Sequence, residues 1–269
     1  MITSTSNPRI KAIRKLADSK ARSTTDTFLA EGLRVVGQAV DSDAQILKLV
    51  YCAELLISDY GRQLVDKVRQ DPSVETVEVS KAVFDSLARK DKPQGIAAVV
   101  RQKWAVLDGI SGTENGIWVA LEAIQNPGNL GTILRTCDAV GALGLILLDN
   151  STDPYDPVAI KASMGAIFTV PVLKGDLTAL QSFTKRNPAI SVVGTSDKAS
   201  QDYFDSNYPD PILLLMGSER EGLSAPYQSL CQRMVSIPME GDCDSLNLSV
   251  ATGVMLYQIY NYHRKRARQ

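Results

Sequence analysis

The chain has 269 residues, 44% of them hydrophobic, and a net charge of −1, enough for two modest domains or one large one around an ordinary packed core. No apolar run approaches the roughly 20 residues a membrane helix needs, and the basic N-terminal stretch MITSTSNPRIKAIRKL lacks the apolar segment of a secretory signal. Four cysteines without CxxC spacing (Cys52, Cys137, Cys231, Cys243) and one histidine, His263, in a basic tail predict a cytoplasmic chain with reduced thiols, no Ser–His pair and no zinc. Cysteine and carboxylate ligands stay open in principle, but nothing is spaced for a metal.

The charge is unevenly placed. Residues 1–22 hold Arg9, Lys11, Arg14, Lys15, Lys20 and Arg22 against Asp18, and the tail after His263 adds Arg264, Lys265, Arg266 and Arg268. The 240 residues between must carry −10 for the whole to reach −1. Basic ends on an acidic body fit contact with a polyanion through the ends, or plain solvated termini.

In chain order, residues 7–22 place Ile10, Ile13 and Leu16 at helical spacing, which predicts an amphipathic helix with a basic outer face. Residues 28–40 read as a strand or turn leading into a helix, 47–56 as a strand, 61–70 as a helix, 74–80 as a strand and 81–89 as a helix. The apolar run QGIAAVVRQK (94–103) suits a central strand. This is a small α/β unit over residues 1–103. A stretch rich in Gly, Ser, Asp and Asn, 104–115, reads as the linker to a second domain, 116–269.

The second domain repeats the rhythm more strongly. Apolar runs at 116–124, 144–149, 168–173, 190–195 and 211–217 alternate with helical segments TILRTCDAVGA, DPVAIKASMGAI and LTALQSFTKR, then a helix around 225–231, a short strand at 234–238 and a terminal helix entered at Ser245. Continuous apolar strands alternating with helices predict a parallel sheet covered on both faces, and ligands of such sheets sit beyond the carboxyl ends of the strands.

Three loops at strand ends combine glycine with functional side chains. The first is NPGNLGTILR (126–135), with Asn129 at the expected helix cap and Arg135 about one and a half turns in. The second is MGSEREGLS (216–224), and the third is IPMEGDCDSLNLS (237–249). No GxxxxGK[ST] is present and no GxGxxG follows a strand, so a P-loop is excluded and a dehydrogenase is weakly supported. Taken singly, each residue has a plain structural account: Arg135 paired with Asp138, Glu219 with Arg220, Asn129 and Ser245 as caps, Asn247 in a first helical turn. Their convergence on three strand ends of one sheet points instead to a pocket.

Those three segments resemble, in order and spacing, the three sequence motifs of the SpoU/TrmH family of RNA ribose 2′-O-methyltransferases, in the SPOUT superfamily. The N-terminal pattern NPRIKAIRKL with FLAEGLRVV resembles the ribosomal-protein-like substrate-binding domain that precedes the catalytic domain in many members. The resemblance covers nearly the whole chain. It implies a small N-terminal α/β RNA-binding domain, then a parallel-sheet α/β catalytic domain with a C-terminal trefoil knot, which no periodicity predicts.

The resemblance further implies S-adenosyl-L-methionine as cofactor, held by backbone groups at Gly217, Ile237 and Leu246 with Thr195 lining the same pocket. It implies a homodimer packed partly through the last helix, and RNA as substrate. Ribosomal RNA is expected, with tRNA or a non-catalytic RNA-binding role as alternatives. By motif position the catalytic set is Arg135, Asn129, Glu219, Ser245 and Asn247. Arg135 matches the family's essential arginine; a guanidinium stays protonated, so phosphate binding and oxyanion stabilisation suit it better than base catalysis.

Overall fold

The computed structural model describes residues 1–89, 92–107, 110 and 114–268. The chain forms two compact units. Unit 1 is residues 1–103 together with 153–169, and unit 2 is residues 104–152 together with 170–269.

Unit 1 begins with α1 (Pro8–Lys15), where Asn7 caps by accepting from the Arg9 amide at 2.9 Å and Pro8 occupies the first turn. Ile10, Ile13 and Leu16 are buried, as their spacing predicts. The helix does not run on to residue 22: it stops at Leu16, and α2 (Ser19–Thr25) starts anew. The reason is Arg22, whose Nη1 donates to the carbonyls of Leu16 (3.1 Å) and Ala17 (2.8 Å), taking up acceptors that a helix end leaves free. Its Nε reaches Asp153 Oδ2 at 2.8 Å and its Nη2 Asp156 Oδ2 at 3.4 Å.

Arg22 is 1% exposed. It therefore belongs to the core of unit 1 and leaves the set of terminal cations open to a polyanion. Replacing Arg22 with Met strands two carboxylates and two carbonyls, and should cost about 3 kcal/mol. Urea unfolding followed by far-UV circular dichroism checks this, and a loss under 1 kcal/mol would contradict it.

The elements β1 (Thr27–Glu31), α3 (Leu33–Asp41), β2 (Ile46–Tyr51), α4 (Asp59–Arg69), β3 (Glu75–Glu78), α5 (Lys81–Leu87) and β4 (Ile96–Arg101) follow. The sheet order is β1-β4-β2-β3, so β4 is interior, as its unbroken apolar run requires. The antiparallel pairs are β1–β4 and β4–β2, and β2–β3 is parallel.

β5 (Ile117–Glu122), α6 (Pro127–Val140) and β6 (Gly144–Leu148) come next, and the helix read from DPVAIKASMGAI follows as the shorter α7 (Pro157–Ser163). Instead of covering the second sheet, α7 packs on β1 in unit 1. The anchor is aromatic. Phe28 of β1 meets Tyr155 at 4.8 Å and Phe168 at 5.9 Å between ring centroids. With Phe168 spent there, the strand expected over 168–173 begins only at β7 (Val172–Gly175), after Pro171.

Unit 2 continues with α8 (Leu177–Arg186), β8 (Ser191–Thr195), β9 (Gln201–Asp202), β10 (Ile212–Met216), α9 (Ala225–Gln228), β11 (Arg233–Ser236) and α10 (Leu248–Arg266). All seven strands are parallel, in the order β7-β6-β5-β10-β8-β11-β9. β5, β6 and β10 are buried throughout, which is why they read as continuous apolar runs. The stretch read as a linker starts as part of this sheet's edge, since the Ala105 amide donates to Val172 O at 2.9 Å and Leu107 joins the core. Residues 108, 109 and 111–113 of that stretch lie outside the described residues.

Candidate active site

Two helix starts differ from the sequence reading, and both bear on the site. α6 starts at Pro127 rather than after the glycines, capped by Asn126, whose Oδ1 accepts from the amides of Gly128 (2.8 Å) and Asn129 (3.2 Å). Asn129 is thus inside the first turn, and the cap lies three residues earlier. The Asn-Pro pair carries the signal, since proline fits the first helical position and asparagine the one before it. α10 likewise starts after Asn247, not at Ser245. Asn247 is the cap, accepting through Oδ1 from the Ser249 amide at 2.9 Å, and Ser245 lies in the preceding loop.

The carboxyl ends of β8, β10 and β11 surround a cavity of about 450 Å³. Its wall includes Thr195 after β8, Gly217 and Glu219 after β10, and Ile237, Ser245 and Leu246 after β11. All four residues expected to hold a cofactor line this one space. Of the five expected catalytic residues, Glu219 and Ser245 line it too, while Asn129, Arg135 and Asn247 stand outside its wall.

The shape of the wall depends on a turn that admits no side chain at its base. Ser218 and Gly222 exchange backbone hydrogen bonds, both 3.1 Å, and Gly222 takes φ +68°. A Cβ on Gly217 would lie 2.0 Å from the Gly222 carbonyl carbon and 2.1 Å from the Leu223 nitrogen. The turn therefore folds tightly over Gly217, leaving its backbone open to the cavity. Thr195 Oγ1 donates to the Met216 thioether at 3.4 Å, joining the ends of β8 and β10.

A directed chain of hydrogen bonds links the three loops. Ser249 Oγ donates to Asn247 Oδ1 (2.7 Å), Asn247 Nδ2 to Asn129 Oδ1 (3.1 Å), and Asn129 Nδ2 to Glu219 Oε1 (3.1 Å). Every amide oxygen meets a donor and every NH2 group an acceptor, which fixes both amide orientations. The chain ends on a carboxylate that also accepts from the amides of Gln125 and Asn126, each at 3.4 Å. Glu219 sits at the positive end of α6, where a carboxylate is favoured. It does not pair with Arg220. Gln125 and Asn126 are the residues that sequence reasoning missed.

Arg135 stays apart from this chain. It is exposed on α6, and no hydrogen bond or ion pair, with Asp138 or any other partner, occupies its guanidinium among the described residues. Burial pushes the Cys231 thiol up to about 12 and so keeps it protonated. Burial, with hydrogen bonding to Asp149 at 2.8 Å, also raises the Tyr227 phenol. Among the described residues no three His, Cys, Asp or Glu side chains gather as a metal site, and no helix is long and apolar enough to cross a membrane.

Residues 116–257, which supply all three loops, match the SpoU rRNA Methylase family. The chain belongs to the SpoU rRNA methylase family. Residues 7–98 match the MRM3-like substrate binding domain. Among relatives of this SpoU chain, the 23S rRNA (uridine(2479)-2′-O)-methyltransferase of Streptomyces viridochromogenes is 32% identical over 90% of this chain and 85% of its own. RlmP of Bacillus subtilis, a 23S rRNA (guanosine(2553)-2′-O)-methyltransferase, is 28% identical over 96% of this chain and 98% of its own. Among solved structures, an AdoMet-bound rRNA methyltransferase from Sinorhizobium meliloti superposes with a TM-score of 0.89 at 35% identity, covering 97% of each chain.

Proposed function

We propose that this SpoU-family chain transfers a methyl group from S-adenosyl-L-methionine to a ribose 2′-hydroxyl of ribosomal RNA. One observation carries the reading. Two of the three loops, 216–224 and 237–249, line one cavity together with Thr195, and the first loop is tied to both through the Glu219–Asn129–Asn247 hydrogen bonds. Its volume of about 450 Å³ suits a nucleoside-sized ligand. Aliphatic walls at Ile237, Leu246 and Leu223 suit an adenine ring, and the glycine turn offers backbone groups rather than side chains.

When bound there, the cofactor supplies an electrophilic methyl on its sulfonium. The protein's tasks are to align the attacking oxygen, to exclude water and to assist loss of the hydroxyl proton. Arg135 is a planar donor with no acceptor atom. It holds the phosphate next to the reacting ribose and stabilises negative charge growing on the 2′-oxygen, with that phosphate or a water taking the proton. The Glu219–Asn129–Asn247 chain positions the α6 start relative to the cofactor loops, and Ser245 faces the ribose from the cavity wall.

The residues of unit 1, with Lys11, Lys15 and Lys20 exposed, and the tail of α10 bind RNA phosphates. The protein works in the cytoplasm as a homodimer. What supports the dimer is the apolar surface of unit 2 left at Val250 and Tyr257 of α10 and at neighbouring Phe204, whose carbonyl accepts from Gln258. Sedimentation at twice the chain mass of 29.2 kDa is expected, and a monomer at micromolar concentration would count against it. The stretch 237–260 is the last pass of a trefoil knot. A backbone trace with the 216–223 loop wholly to one side of that segment would exclude this.

Incubating the protein with tritiated S-adenosyl-L-methionine and bulk RNA tests the activity, and label is expected in ribose of the rRNA fraction. Label confined to tRNA would favour the tRNA alternative. Cofactor binding with no label in any RNA would leave a non-catalytic RNA-binding factor.

A further inference from the structure

Two cations on the cavity wall have no partner. Lys198, in the loop after β8, and Arg220, in the Ser218–Gly222 turn, both line the cavity and are exposed. Neither side chain makes a hydrogen bond or an ion pair among the described residues. Yet Asp197, Glu219, Glu221 and Asp244 stand on the same wall. Glu219 is already committed to the α6 start.

On an open surface an unpaired lysine or arginine is ordinary, because exposed ion pairs are worth little. The wall of a ligand cavity is different: there a bound ligand brings its own charge to such a group. Arg220 is moreover carried on a turn fixed by the reciprocal Ser218–Gly222 hydrogen bonds and by the Glu221 amide donating to Ser218 Oγ at 3.2 Å. Its backbone loses little freedom on binding. Both side chains are pure donors, so their common ligand chemistry is an oxyanion.

We infer that Lys198 and Arg220 are the anion-binding groups of this cavity, positioning residues that take a carboxylate or phosphate oxygen. The inference rests on the reading of the cavity as the cofactor site. Two oxyanions come within its reach under that reading: the α-carboxylate of the cofactor's amino-acid portion and a backbone phosphate of the RNA.

Calorimetric titration of the full chain with S-adenosylhomocysteine and with methylthioadenosine separates them, since the second keeps the nucleoside and thioether but has no carboxylate. The variants are Lys198→Ala, Arg220→Ala, the double variant and Arg220→Lys. If the carboxylate is the ligand, affinity for S-adenosylhomocysteine falls about tenfold per cation removed, methylthioadenosine binds as before, and Arg220→Lys keeps part of the loss from appearing. If the phosphate is the ligand, both small molecules bind as in wild type. Affinity for an rRNA fragment then falls, and its log–log salt slope shrinks by about 0.7 per cation. Unchanged binding of both small molecules and of the RNA overturns the inference. Wild-type protein that binds neither S-adenosylhomocysteine nor S-adenosyl-L-methionine would instead overturn the underlying reading of the cavity.

Discussion

Replacing Arg135 with alanine is expected to cut methyl transfer by about 10²–10³-fold, the usual loss on removing one oxyanion-stabilising donor. Cofactor affinity should stay within about twofold, because Arg135 lies outside the cavity wall. Folding should hold as well: the side chain is exposed and contributes no hydrogen bond to α6 or its neighbours. Arg135→Lys keeps the charge but loses the planar fork, so it should recover part of the rate and not all of it. Single-turnover kinetics beside cofactor titration reads both quantities. Parallel loss of rate and cofactor affinity would defeat this division of roles.

Gly217→Ala should act on the opposite side of that division. The added methyl would sit 2.0 Å from backbone carbon of Gly222 and 2.1 Å from backbone nitrogen of Leu223, and backbone cannot swing aside as a flexible side chain can. The turn must open, breaking the paired hydrogen bonds between Ser218 and Gly222 and moving Glu219 away from the Gln125 and Asn126 amides. The expected cost is about 3 kcal/mol of stability, the upper range for overpacking. Cofactor affinity should drop about 100-fold or more, which corresponds to a similar free energy. Gly241→Ala is the control: a Cβ there meets nothing within 4 Å, so both quantities should stay unchanged. Normal cofactor binding by Gly217→Ala would mean that the turn does not shape the site.

These two residues also mark what a sequence can and cannot convey. Gly217 stands in a recognisable motif, but the reason for glycine is a contact with residues five and six positions later, visible only once the turn is folded. Strands β5, β6 and β10 were legible because a parallel strand buried on both faces must be apolar at every position. β9, two polar residues pairing at the sheet edge, carries no such pattern. The starts of α6 and α10 were misplaced by a few residues because Asn126, Asn129, Ser245 and Asn247 are all plausible caps, and only the hydrogen bonds choose among them.

Arg22 shows the same limit from the side of charge. Its place in a run of cations reads as surface, whereas Asp153 and Asp156, far along the chain, bury it. α7 follows from that kind of long-range partnership too, since nothing local in DPVAIKASMGAI says that β1 rather than the second sheet will cover its apolar face. The grouping of Thr195, Gly217, Ile237 and Leu246 rested on family motifs, and the four line one cavity. The link from Glu219 through Asn129 to Asn247 was not legible at all, because it joins side chains from three loops.

The most direct measurement is a map of ribose 2′-O-methylation across the ribosomal RNA of cells with and without this protein. The account predicts that one ribose loses its methyl group in the protein's absence, and regains it with the wild-type chain but not with Arg135→Ala. An unchanged ribose map, or a methyl lost from a base instead, would contradict it.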